Sequence, residues 1–181
     1  MLTKIKNELI YLSTLRRILS SLKSINNDEN FIITNKISSF ADKTPDSIAI
    51  YFEDKEITYK EFINRANQYS HWFLDNGLKK GDVVALLMEN RPEFLMSWIG
   101  IAQVGGTTAL INTNLTGHPL NHSLSISGAK KLILGKELLD NFETTNESIK
   151  SSFQVWVEGE SNKTKFNNSF DLPISDTNAF K

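Results

Sequence analysis

No cysteine occurs among the 181 residues. Disulfide bonds, thiolate catalysis and cysteine-ligated metal are therefore excluded, and the absence fits a reducing compartment. No run approaches the roughly 18–20 apolar residues that a membrane-spanning helix requires. Excess basic charge is missing too. Lysine and arginine number 20 against 21 aspartates and glutamates, for a net charge of −1, so nothing global argues for nucleic acid. What is present is ordinary globular chemistry. Hydrophobic residues make up 40% and charged residues 23% of the chain, enough for a packed core and too apolar for wholesale disorder.

Residues 83–134 organise the rest. Residues 83–88 form a continuous apolar run, the pattern of a strand buried on both faces. Asn90-Arg91-Pro92-Glu93 then opens a helix, because Pro92 lacks the N–H that the first turn leaves unused and Glu93 suits the positive end of the dipole. Phe94, Leu95, Trp98, Ile101 and Ala102 recur at helical spacing, and Gly105-Gly106 stops the helix. Residues 107–111 return as a strand, 120–127 as a helix and 131–134 as a third strand. Such an order predicts an α/β fold with a mostly parallel sheet and flanking helices.

Charge is uneven along the chain. Residues 1–25 carry Lys4, Lys6, Arg16, Arg17 and Lys23 against Glu8, a net of +4, which leaves −5 for the remainder. Leu2, Ile5, Leu9, Leu12, Leu15, Ile18, Leu19 and Leu22 keep helical spacing between those charges, so an amphipathic basic helix is expected at 1–25. Two uses fit it: docking its stripe on a domain, which is what most such helices do, or lying in the headgroup region of an anionic membrane. A polar linker follows at 26–34.

Beyond the linker, a helical pattern runs to Phe40 and Lys43-Thr44-Pro45-Asp46 ends it. Residues 48–52 and 56–57 read as a hairpin around Glu53-Asp54-Lys55. Thr58 and Glu61 have the spacing of a capping box, and the helix they open runs to Asn76-Gly77. After Leu134 a short helix is expected near 137–142, polar sequence at 144–152, a strand at 153–157 and an irregular tail from 158.

The residues alone show no active site. Gly105-Gly106 follows a helix and enters a strand, with no lysine until Lys130, whereas a phosphate cradle needs a helix N-terminus behind it. His118 and His122 stand four apart but lack a third metal ligand, and Pro119 is expected to leave His118 outside the helix. His71 falls among core aromatics. Glu53, Asp54 and Glu56, and likewise Glu158 and Glu160, are expected in solvated turns, and Trp72, Trp98 and Trp156 on core elements.

Residues 41–49 (ADKTPDSIA), 57–62 (ITYKEF), 81–87 (GDVVALL), 90–94 (NRPEF) and 100–112 (GIAQVGGTTALIN) together resemble, in this order, the adenylate-forming superfamily of acyl-CoA synthetases, luciferases and peptide-synthetase adenylation domains. Residues 88–94 (MENRPEF), 109–115 (ALINTNL), 122–124 (HSL) and 127–130 (SGAK) are most similar to its fatty acid transport protein/very long-chain acyl-CoA synthetase branch. The resemblance spans about residues 35–135.

What the resemblance implies is an acid–thiol ligase that uses ATP and Mg²⁺ to convert a fatty acid to an acyl-adenylate and passes the acyl group to coenzyme A. The superfamily's phosphate loop, its adenine and ribose motifs and its small C-terminal domain are absent from these 181 residues. The expectation is thus an N-terminal portion of the large domain, at 35–157, inactive and without a cofactor by itself. A non-catalytic membrane-associated or protein-binding module derived from that fold is the alternative. Among single residues, the resemblance implies that the turn Asn112, Thr113, Asn114 faces coenzyme A. It also adds weight to the membrane use of residues 1–25, with Lys4, Lys6, Arg16, Arg17 and Lys23 facing anionic headgroups on the inner, cytoplasmic face. Unpaired strand edges and uncovered apolar surface are expected to favour self-association.

Overall fold

The structure, a computed structural model, describes residues 10–19 and 32–159. The chain forms two compact units, Met1–Ser39 and Phe40–Lys181. In the first, residues 10–19 are helical (α1). The helix α2, Ile33–Lys43, begins in this unit and ends in the next.

The second unit opens with an antiparallel hairpin, β1 (Ile48–Phe52) and β2 (Lys55–Thr58). The chain then enters α3, Tyr59–Asp75, through the expected capping box. The Glu61 N–H donates to the Thr58 hydroxyl at 3.2 Å, and the Glu61 carboxylate accepts the Thr58 N–H at 2.8 Å. Two donors at the start of the helix are thereby satisfied.

Next come β3 (Val83–Leu87), α4 (Pro92–Gln103), β4 (Thr107–Leu110), α5 (Gly117–Ile126) and β5 (Lys131–Gly135). A 3₁₀ turn at Lys136–Leu138 and two short helices, α6 (Leu139–Glu143) and α7 (Glu147–Ser152), lead to β6 (Gln154–Glu158). The four strands β4-β3-β5-β6 form one sheet, and every pairing is parallel. β3 is therefore central, as its two-sided apolar run requires. From β3 the chain first moves to one side and then crosses back to the other.

Both faces of the sheet are packed. Ala85, Leu87, Leu132, Leu134, Val155 and Val157 meet Leu120 and Leu124 of α5, Leu138 and Phe142 in one core cluster. The alternate positions register as a row, Leu110–Leu86–Ile133–Trp156. At its β6 end Trp156 stacks on Phe73 of α3 at 5.8 Å and meets Trp72 edge-on at 5.1 Å. Exposure along this row falls from 52% at Leu110 to 0% at Trp156, so β4 is the open edge of the sheet and β6 the covered one.

Helices α3 and α4 pack closely because Gly100 has no side chain. A Cβ there would stand 2.8 Å from the Tyr69 Cβ and 3.2 Å from the Ala66 carbonyl oxygen. Gly105, at φ +81°, ends α4 in a Schellman motif, with its N–H on the Ala102 carbonyl and the Gly106 N–H on that of Ile101, both at 3.0 Å. The paired glycines are a helix stop.

Several elements differ from expectation. α5 begins at Gly117, so Pro119 lies in its first turn and His118 is inside the helix, where a missing N–H costs nothing. α7 arises in a stretch read only as polar, with the Asn146 side chain capping the Ile149 N–H at 2.9 Å. Trp98, on the expected helix, is 37% exposed. β6 runs through Glu158, which is buried rather than solvated in a turn.

Candidate functional site

In parallel sheets ligands settle beyond the carboxyl ends of the strands, at the point where the strand order reverses. Here that point lies between β3 and β5, and a charged cluster fills it. Arg91, the N-cap of α4, reaches three carboxylates. Its guanidinium pairs with Glu93 at 3.1 Å, with Glu137 at 3.4 Å, and with Glu158. Glu137 follows β5 and also accepts the backbone N–H of Glu89 at 3.0 Å. Glu158 ends β6 and accepts the Tyr69 hydroxyl at 3.2 Å. One side chain thus ties together the ends of three strands and, through Glu158, the middle of α3.

Burial shapes the chemistry of the cluster. The Arg91 side chain is 19% exposed and that of Glu158 10%. Burial by itself pulls the guanidinium pKa down, but the Glu158, Glu137 and Glu93 carboxylates outweigh it and hold Arg91 above its ordinary value. Burial, reinforced by the negative charge of Glu158, pushes the Tyr69 phenol far above its usual range. Tyr69 is therefore a fixed hydrogen-bond donor at neutral pH.

The other part of this edge is the turn after β4. The Asn112 side chain accepts the Asn114 N–H at 2.9 Å, forming an Asx turn, and the Asn141 amide of α6 donates to the Thr113 carbonyl at 2.9 Å. The Asn112 side chain is thereby engaged in shaping the turn, Thr113 is half-buried, and Asn114 is exposed. Arg16 and Arg17 lie on α1, while Lys4, Lys6 and Lys23 fall outside the described residues.

Sequence reasoning placed Arg91 and Glu93 at a helix start but missed the cluster, because its partners lie 46 and 67 residues further on. No local pattern signals such pairing. The position of Arg91, directly after a two-sided apolar strand, was the one available sign.

A magnesium-bound nucleoside triphosphate does not fit these residues. The Arg91 guanidinium is already engaged by the Glu93, Glu137 and Glu158 carboxylates, so it is not free to pair with a polyphosphate. Among the described residues no group of three or more histidine, aspartate and glutamate side chains is placed to hold a metal ion.

The family described as AMP-binding enzyme matches residues 37–175. Long-chain fatty acid transport protein 6 of Homo sapiens is 34% identical over 125 residues, covering 68% of this chain and 20% of the relative. Gramicidin S synthase 2 of Brevibacillus brevis is 29% identical over 108 residues, 60% of this chain and 2% of the synthase. Among solved structures, the anthranilate CoA ligase AuaEII in complex with anthranoyl-AMP superposes with a TM-score of 0.65 at 25% identity, over 74% of this chain and 26% of the ligase. The Klebsiella oxytoca NpsA N-terminal subdomain superposes with a TM-score of 0.60 at 23% identity, over 69% of this chain and 30% of the subdomain. The chain spans about a fifth of the length of the fatty acid transport proteins it matches.

Proposed function

Because the chain belongs to the AMP-binding enzyme family, we propose that it supplies the N-terminal part of the large domain of a fatty-acyl-CoA synthetase. In that reaction a fatty acid and ATP give an acyl-adenylate and pyrophosphate, and the acyl group then passes to coenzyme A with release of AMP. The observation that carries the reading is the 34% identity to a long-chain fatty acid transport protein over 125 residues. Packing supports it, since this stretch folds as a parallel sheet whose carboxyl edge is held rigid by Arg91.

The role assigned to these residues is structural support and not chemistry. The charged cluster at the strand ends is poorly suited to ATP, and the phosphate-loop motif is absent from these residues. On this reading the chain alone does not form the adenylate. The exposed Asn114 turn is assigned to the coenzyme A side of the complete enzyme.

One observation favours a second use. The apolar residues of α1 are all exposed, from 38% at Leu15 to 67% at Tyr11. Tyr11, Leu15 and Ile18 share a face with Leu12 and Leu19, Arg16 borders that face and Arg17 lies opposite it. Such a helix suits the surface of an anionic membrane, as a peripheral anchor on its inner face. No helix of the described residues is long and apolar enough to cross a membrane.

Two measurements test the main reading. Titration of the purified chain with ATP·Mg²⁺ and a fatty acid should give no heat, and saturable micromolar binding would overturn the reading that these residues do not carry out the adenylation. A chimera in which residues 35–157 replace the matching part of a long-chain fatty acid transport protein should retain fatty-acid-dependent ATP–pyrophosphate exchange. A folded chimera without exchange would favour the non-catalytic module.

A further inference from the structure

Residues 94–129 contain no aspartate, glutamate, lysine or arginine, in a chain that is 23% charged. The run takes in α4, β4 and α5, that is, the open edge of the sheet and the two helices that flank it in the chain. Its exposed side chains include Trp98, Leu110 and Ile126. Depletion of charge together with exposed large apolar groups is the composition of the core of a protein interface.

The backbone of β4 determines the kind of contact. The Thr107 N–H donates to the Asp82 carbonyl at 2.8 Å and the Ile111 N–H to that of Leu86 at 3.0 Å. Odd-numbered residues of β4 therefore turn their backbone groups toward β3, and by the alternation of a strand Thr108 and Leu110 turn theirs outward. Among the described residues no strand lies on that side. β4 also carries none of the charge or proline that blunts an exposed edge.

We propose that β4 pairs antiparallel with β4 of a second copy of this chain, about a twofold axis at Ala109. Two outward-facing residues, two apart, complement themselves under that rotation. Thr108 of one copy lies opposite Leu110 of the other and exchanges both N–H···O=C bonds with it. The symmetric pair does the same, which makes four bonds. A twofold axis at Thr108 or at Leu110 would leave only two such bonds within β4. The missing charge also suits a copy, because a twofold axis brings like charges together and this surface has none to repel. The two four-stranded sheets join into one of eight, and the exposed Leu110 side chain packs beside Thr108 of the other copy. The proposal is independent of the adenylation reading.

The test uses the full chain. Sedimentation equilibrium at tens of micromolar should give twice the mass of one chain, and a monomer or a larger species would overturn the proposal. Because the chain has no cysteine, a single introduced one reports only on its own copy. Residues opposite each other in a non-hydrogen-bonded antiparallel pair have Cα atoms about 4.5 Å apart, within the roughly 4.4–6.8 Å that a disulfide spans. With oxidised glutathione as the electron acceptor, Ala109→Cys should form a covalent dimer at least about tenfold faster than Lys60→Cys, at an exposed site on α3. Equal rates would overturn the twofold at Ala109. Leu110→Pro deletes one outward donor in each copy, and with it two of the four bonds, so association should weaken about tenfold. Unchanged association of the folded variant would overturn the proposal. Should Leu110→Pro lose its helical circular dichroism, the cross-linking rates carry the test.

Discussion

The hydroxyl of Tyr69 donates to the carboxylate of Glu158 at 3.2 Å, joining the middle of α3 to the last residue of β6 across 89 positions of sequence. The same carboxylate takes the Arg91 guanidinium. Removing either partner has a different cost. Tyr69→Phe deletes one hydrogen bond and leaves Glu158 paired, a loss of about 1 kcal/mol. Arg91→Met strands a buried carboxylate beside two others, a loss of about 3 kcal/mol or more. Urea unfolding at neutral pH separates the two, and equal losses would refute the central role given to Arg91.

Acid should weaken the fold through two carboxylates. The Thr58 N–H and then its hydroxyl hold Glu61 below its ordinary value of 4.5. The Lys131 ammonium and the Lys79 N–H hold Asp82 below 3.8. Both groups bind protons more weakly folded than unfolded. Their contribution is complete above the unfolded values and is lost as pH falls through the folded ones. Thermal melting should therefore change little from pH 8 to 6 through these groups and drop below about pH 4. Lys131→Met should flatten the Asp82 part of that drop.

Gly100→Ala should destabilise despite alanine's better helix propensity. The propensity gain is about 1 kcal/mol, but the new Cβ meets the Tyr69 Cβ and the Ala66 carbonyl, and overpacking of this kind costs about 1–3 kcal/mol. Ser70 reports the same contact, since its hydroxyl is 3.2 Å from the Gly100 carbonyl oxygen. A melting temperature unchanged or raised would mean that α3 and α4 separate more easily than their packing implies.

These three predictions divide by how visible their residues were in the sequence. The Thr58–Glu61 box and the Gly105-Gly106 stop are local, set by backbone groups within a few residues, and both appear where the spacing put them. The parallel sheet was legible because a strand covered on both faces must be apolar throughout, as residues 83–88 are. Glu158 was not legible. It sits among polar residues, and what buries it is Arg91 and Tyr69, far away in sequence. Trp98 misled for the complementary reason: helical periodicity gives a face, but not whether anything lies against it. α7 has too little apolar content for a period, and its Asn146 cap becomes significant only once the helix exists.

Asn112 and Asn114 should behave differently although they are two residues apart. Asn112→Ala removes the acceptor of the Asx turn and should lower the melting temperature by a few degrees, corresponding to about 1 kcal/mol. Asn114→Ala should leave stability unchanged. In a full-length relative the Asn114 equivalent should raise the KM for coenzyme A and spare adenylate formation. An unaltered KM removes the coenzyme A assignment.

Membrane use of α1 is tested by sedimentation with phosphatidylserine vesicles. The full chain should co-sediment at low salt, and a chain starting at residue 32 should remain in solution. Arg16→Glu/Arg17→Glu should reduce binding by about 2 kcal/mol or more, since each basic residue near an anionic surface contributes about 1 kcal/mol. Equal sedimentation of the shortened chain would rule out the helix as the anchor.

The three-strand tie made by Arg91 also sets a schedule. Arg91 leaves the ribosome 67 residues before Glu158, an interval of roughly 3–13 s at about 5–20 residues per second. Until then Trp72 and Phe73 have no Trp156 to stack on, and the covered edge of the sheet does not yet exist. During synthesis the nascent chain thus presents an aromatic surface until β6 arrives to cover it, and slower translation of residues 92–158 lengthens the window in which a chaperone can hold it.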